Sequence, residues 1–195
     1  MRQRGFTLIE IVVTFVVLGL LALLGASSYK TWVLNQRVRA AAESIHFGLQ
    51  IAKAEAIKRN TVVRFSLVDK PSSGCSFVAT SGDVSEWGWI ISTNDPVANS
   101  CPDPGESSGV IQSRAGAEGS GASTIMVKTT QATVSFDGLA RGALDATYQV
   151  SAGGTSQCGT DSSSIRCLNI IVTAPGGEVR MCDPAVTSSS DPRAC

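Results

Sequence analysis

The chain has 195 residues and a mass of 20.3 kDa, enough for one compact domain with an appendage but short for two independent cores. Hydrophobic residues make up 43% and charged residues only 16%, against roughly 25% charge in typical soluble domains, so part of the chain avoids water. The 16 basic and 16 acidic side chains cancel only in total: residues 1–60 hold eight basic and three acidic groups (+5) and residues 61–195 hold eight and thirteen (−5), which disfavours a nucleic-acid-binding domain and points to a basic element at a membrane or other anionic surface.

From Phe6 to Ala26 the sequence reads FTLIEIVVTFVVLGLLALLGA, a length suited to a membrane-spanning helix, with Glu10 as its one charge. Arg2 and Arg4 precede it, so the positive-inside tendency places the N-terminus in the cytoplasm and everything after Tyr29 outside the inner membrane. A secretory signal cut near Gly25-Ala26-Ser27 and a simple membrane anchor are the plainer alternatives. Neither gives Glu10 a purpose, because a lone carboxylate in hydrocarbon is costly and no basic residue lies within the span.

The run Arg4-Gly5-Phe6-Thr7-Leu8-Ile9-Glu10 resembles the class III signal of type IV pilins and type II secretion pseudopilins. The resemblance implies that prepilin peptidase cuts between Gly5 and Phe6 and methylates Phe6 as the new N-terminus, with the apolar helix left in place. Residues 1–5 are then a leader and residues 6–28 a transmembrane helix that later packs in a filament core. There the Glu10 carboxylate can meet a neighbour's α-amine, since a buried charge is tolerable only when paired, and the pair favours one axial register. Gly5, without a side chain, lets the scissile bond lie extended in the protease.

Residues 29–60 continue the helical pattern as an amphipathic half, with apolar Val38, Ala41, Ile45, Leu49, Ala52 and Ala56 on one face and Arg37, Arg39, Glu43, Lys53, Lys58 and Arg59 opposite. The two halves together predict one helix of about 55 residues, about 80 Å long, with Gly19, Gly25 and Ser27-Ser28 as points of bending. Residues 61–195 switch to short β-rich runs such as Thr61–Val68, Trp87–Thr93, Thr124–Val127, Ala132–Phe136, Ile165–Thr173 and Glu178–Cys182. Asn94–Gly109 and Ala115–Ser123 read as loops. The prediction is an α+β fold, a long N-terminal helix packed on an antiparallel β-sheet in a periplasmic domain.

The whole layout is similar to the minor pilin and pseudopilin family that includes GspH and FimT. Beyond the leader, the likeness rests on Gln50-Ile51-Ala52-Lys53-Ala54-Glu55-Ala56, Val134-Ser135-Phe136-Asp137-Gly138, and an ending of Val179-Arg180-Met181-Cys182-Asp183-Pro184 and Asp191-Pro192-Arg193-Ala194-Cys195. It implies a non-enzymatic subunit of a type IV pilus or of the pilus-like filament of type II secretion, whose partners are prepilin peptidase, other pilins or pseudopilins, and inner-membrane lipid. Some FimT-like subunits bind DNA through a Gly-Arg-x-Arg pattern, which makes DNA uptake in natural transformation the alternative. The matching stretch is Gly177-Glu178-Val179-Arg180, where Glu178 stands in the first arginine position. Arg180, Arg193, Arg166 and Arg141 can contact DNA only if the fold gathers them.

All six cysteines follow residue 74, as suits an oxidising compartment; they allow fifteen pairings, among which sequence alone does not choose, and the preferred set is the sequential one, Cys75–Cys101, Cys158–Cys167 and Cys182–Cys195, each closing a loop or tying the tail. No CxxC pair and a single histidine, His46 between Ile45 and Phe47, argue against a metal centre and against acid–base catalysis. The Gly-rich stretches 116–121 and 153–154 lack phosphate-loop spacing and read as turns. No cofactor is expected.

Overall fold

The computed structural model describes residues 7–69, 76–77, 86–94, 109–116, 124–152, 166–188 and 190–195, with the backbone alone at 22–28 and 76–77. Helix α1 spans Leu8–Arg59, 52 residues, and its assignment is unbroken through Gly19, Gly25 and Ser27-Ser28. Thr7 caps its start, and Asn60 closes its end in the left-handed conformation (φ 49°), its N–H donating to the carbonyls of Ala56 and Ile57. Lys58 and Arg59 in the last turn face the negative end of the helix dipole and both bind Glu55, at 3.1 and 2.7 Å, which holds that carboxyl below its usual range.

Among the described residues nine strands follow: β1 Val63–Asp69, β2 Ser76–Phe77, β3 Trp87–Ser92, β4 Val110–Ala115, β5 Ile125–Thr129, β6 Thr133–Phe136, β7 Ala146–Ala152, β8 Leu168–Thr173 and β9 Glu178–Cys182. They form two antiparallel sheets rather than one. In the first, β1 pairs β3 along one edge and both β6 and β2 along the other, and β4 pairs β3. In the second the order is β5-β7-β8-β9. The chain changes sheets between β5 and β6, where the Thr129 hydroxyl donates to the Gln131 carbonyl at 2.6 Å and Leu67 N–H of β1 takes the Ala132 carbonyl at 2.8 Å.

The apolar face read from the helix period is the buried one: Val38, Ala41, Ile45, Leu49, Ala52 and Ala56 all lie in the core, joined by Ala42. Two residues expected on the opposite face, toward solvent or another subunit, are instead tied to the domain. Arg37 donates to Thr124 Oγ1 at 3.3 Å and Lys53 to the Gly177 carbonyl at 2.9 Å, because both flank the apolar stripe and their long stems reach past it. The helix and both sheets meet at Phe65, whose ring lies 6.0 Å from that of Trp89 and edge-on at 5.7 Å to that of Tyr148. Trp89 Nε1 donates to Ser44 on the helix at 3.1 Å, and burial pushes the Tyr148 phenol up.

Strands β2, β4 and β7 add to the runs named from the sequence, and β1 starts at Val63 rather than Thr61. The second expected loop begins after Ala115, which ends β4 opposite Gly88. Most of both expected loops, 95–108 and 117–123, lies outside the described residues, as does Ile165. Among the cysteines, a disulfide joins Cys182 to Cys195 with Cα atoms 5.1 Å apart, and Cys167 is also disulfide-bonded. The expected pairings Cys75–Cys101 and Cys158–Cys167 involve Cys75, Cys101 and Cys158, which lie outside the described residues.

Between β6 and β7 the Asp137 carboxylate organises a tight turn, accepting the N–H groups of Leu139 (3.0 Å) and Arg141 (2.9 Å). The Arg141 backbone N–H, with its guanidinium 2.7 Å away, lowers the Asp137 pKa. Ala140 pays for that turn with a left-handed backbone, φ 63°. Ala140→Gly is therefore expected to raise stability by about 0.5–1 kcal/mol, seen as a higher denaturant midpoint at unchanged slope. An unchanged or lower midpoint would show that the strain is offset by the alanine methyl's contacts together with the greater unfolded-chain entropy of glycine.

Candidate functional site at the helix start and the C-terminal tail

Gly5 and Phe6 lie outside the described residues, and the description begins at Thr7. Glu10 is the third residue of α1, and its carboxylate reaches back to accept the Thr7 N–H (3.2 Å) and the Thr7 hydroxyl (3.1 Å). Thr7 Oγ1 in turn accepts the Glu10 N–H at 3.4 Å, completing a capping box. The Thr-x-x-Glu spacing that produces it is plain in Thr7-Leu8-Ile9-Glu10, a local signal separate from the lone charge in an apolar run. This negative group sits at the positive end of the helix dipole.

Everything after that cap up to Leu21 is exposed, from Leu8 at 81% to Phe15 and Leu18, with apolar side chains all around the axis. A helix that is hydrophobic on every side has no folded face of its own and needs lipid or other helices around it. Among the described residues no helical stretch is long and apolar enough to cross a membrane, the described side chains of the apolar run ending at Leu21, short of the roughly 20 residues a span requires.

At the other end of the chain, the tail after β9 folds back on the strand. Asp183 N–H donates to the Arg193 carbonyl at 2.7 Å, and the Cys182–Cys195 disulfide closes the loop. Arg180 donates to the backbone oxygens of Ala194 (3.5 Å) and Cys195 (3.2 Å). Arg193 makes a two-pronged pair with Asp191 at 2.7 and 3.0 Å, which brings the Asp191 carboxyl down to about 2 and raises the arginine. Arg141 is held by Asp137.

Of the arginines considered for DNA, the fold brings Arg166 and Arg193 to one groove of about 440 Å3, while Arg180 and Arg141 are not among its lining. Arg39 of α1 joins them there, a residue that sequence alone marked only as polar. The arginines of the tail thus serve mainly to hold the tail, and the DNA-uptake alternative is not supported. His46 lines a shallow recess with Glu43, Ser44, Phe47 and Arg114, and among the described residues no three His, Cys, Asp or Glu side chains converge to hold a metal.

Residues 41–188 match the family model described as type II transport protein GspH, and residues 1–26 match that of the prokaryotic N-terminal methylation motif. Among solved structures, the type IV minor pilin FimU of Pseudomonas aeruginosa (strain PAO1) in a P21 crystal superposes with a TM-score of 0.51 at 14% identity, over 80% of this chain and 95% of that one. A P65 crystal of FimU matches at 0.48 and 13%, over 78% and 98%. At such identity the first of these is a likeness of fold. No curated protein matches the chain.

Proposed function

The chain belongs to the GspH family, and from that premise we propose that it is a non-enzymatic minor pilin or pseudopilin, made as a membrane protein and then built into a type IV pilus or a type II secretion filament. The observation that carries the reading is the division of α1. Its second half buries one face in the domain core, while residues 8–21 present apolar side chains on all sides with a carboxylate at their start. That half is built to exchange one apolar surrounding, lipid, for another, the helices of neighbouring subunits.

In this reading prepilin peptidase removes residues 1–5 and methylates Phe6, residues 6–28 hold the chain in the inner membrane, and residues 61–195 lie in the periplasm. The processed chain carries two fewer arginines, Arg2 and Arg4, and so a net side-chain charge of −2. The test is expression of the full chain with and without prepilin peptidase, followed by intact-mass measurement and co-purification with filament partners. The expected product begins at a methylated Phe6 and travels with other pilins or pseudopilins. A product cut near Ala26, or one that never associates with filament subunits, sinks the reading. Deletion phenotypes then assign the filament: lost twitching for a pilus, lost enzyme secretion for the type II system.

A further inference from the structure

Between the end of the apolar run at Ala26 and the first core residue, Val38, α1 carries Tyr29 and Trp32, 65% and 58% exposed, with their rings 6.0 Å apart. At 1.5 Å per residue they stand about 5 and 9 Å beyond Ala26, and a bilayer's headgroup layer extends roughly 5–7 Å beyond its hydrocarbon on each side. Helical side chains lean toward the N-terminus, here toward the apolar run. Tyr29 therefore stands within that layer, and Trp32, leaning back toward it, at its outer edge, where such rings favour the membrane–water interface.

Immediately above them opens the groove of about 440 Å3, with Trp32 at its lower lip, Leu168 and Met181 in its wall, and Arg39, Arg166 and Arg193 around it. Asn35 Oδ1 accepts the Arg166 N–H at 2.8 Å, which fixes that residue beside the helix one turn beyond Trp32. Among the described residues, this end of the domain holds five cations, Lys30, Arg37, Arg39, Arg166 and Arg193, against three carboxylates, Glu43, Asp183 and Asp191. Glu43 binds Arg39, Asp191 binds Arg193, and Arg37 bonds Thr124, whereas Lys30 and Arg166 have no carboxylate partner among the described residues. Among the described residues the excess on this face, the one nearest the apolar helix, is positive, although residues 61–195 as a whole are acidic.

We infer that this face docks on the headgroups of anionic lipid: Tyr29 and Trp32 enter the headgroup layer of the leaflet under the domain, and Lys30 and Arg166 bind lipid phosphate. The inference rests on the membrane-anchored reading above. Long basic side chains reach back to phosphates while their stems lie on apolar surface, and juxtamembrane cations are held by an anionic leaflet. The dock sets the height and orientation of the subunit before assembly, and extraction into a filament must break it, so anionic lipid content governs how readily the subunit leaves.

The test uses the full chain in nanodiscs of phosphatidylcholine alone and of phosphatidylcholine with phosphatidylglycerol, with lipids spin-labelled either at the headgroup or deep in the acyl chain. Trp32 is the exposed tryptophan, Trp87 and Trp89 being buried, and their background is measured in Trp32→Phe. The expected result is stronger quenching of Trp32 by the headgroup label than by the acyl label, increased about two-fold by phosphatidylglycerol, with the increase abolished in Lys30→Gln/Arg166→Gln and by high salt. An inserted chain whose Trp32 escapes the headgroup label, or whose quenching is the same in neutral and anionic discs, overturns the dock while leaving the anchored reading intact. A chain that fails to enter discs overturns both.

Discussion

Replacing Gly48 with leucine is expected to cost about 3 kcal/mol or more, a large share of the roughly 5–15 kcal/mol that holds a domain together. Gly48 is a buried residue of α1 at the point where the helix lies on the first sheet. A Cβ placed there would stand 2.7 Å from Phe65 Cε2 and 3.1 Å from two ring carbons of Trp89. Neither ring is free to move aside. Phe65 is wedged between Trp89 and Tyr148, all three are fully buried, and Trp89 is tethered by its hydrogen bond to Ser44.

The alanine variant is the more discriminating test, because two effects oppose each other. In an ordinary helix interior Gly→Ala stabilises by about 1 kcal/mol. Here the contact is closer than real Cβ atoms adopt, so the helix must lift off the sheet and loosen the aromatic group, and a net loss of about 1–2 kcal/mol is expected. Denaturant unfolding followed by the fluorescence of Trp87 and Trp89 gives the sign directly. An alanine variant more stable than the parent would mean that the helix–sheet spacing is not set by Gly48.

Gly48 illustrates which parts of the molecule were readable in advance. The helix face was legible because its cause is local: steps of three and four through Val38, Ala41, Ile45, Leu49, Ala52 and Ala56 need no partner to be recognised. The same holds for the bounds of β9 and for the capping pattern at Thr7 and Glu10. The need for a glycine at position 48 came from rings contributed by β1 and β3, distant in sequence, and so had no local sign. Strand β7 does alternate, with Ala146, Tyr148, Val150 and Ala152 buried, but two of the four are alanines and give a faint pattern. Strand β4 buries Val110 alone, so it shows no period at all.

The division into two sheets was hidden for a related reason. Only Thr130, Gln131 and Ala132 separate β5 from β6, a spacing that suggests a hairpin, yet the strands join different sheets, β6 pairing with β1 and β5 with β7, neither its neighbour in sequence. The arginines followed the same rule. Asp191 and Arg193 are near neighbours and their pairing was foreseeable as a local one, whereas the meeting of Arg39, Arg166 and Arg193 depends on the packing of α1 against the edge of the second sheet and its tail.

Glu10 is the residue whose loss should most damage function while leaving the domain untouched, and two substitutions separate its two roles. In the single chain its carboxylate caps the helix through the Thr7 N–H and hydroxyl. Glutamine at this position also completes a capping box, so Glu10→Gln retains the cap and removes the charge, whereas Glu10→Leu removes both. If the carboxylate pairs with a neighbour's α-amine in the filament core, either change leaves that amine buried without a partner, a penalty of about 3–5 kcal/mol. At 1.4 kcal/mol per tenfold, incorporation into filaments should fall by about 100-fold or more in both variants. Membrane insertion should persist in both, because removing a charge from an apolar run only favours the bilayer. The measurement is the ratio of filament-bound to membrane-bound processed chain for parent and variants expressed at equal levels. Normal incorporation of Glu10→Gln beside a failed Glu10→Leu would reduce Glu10 to a helix cap, and normal incorporation of both would remove it from assembly altogether.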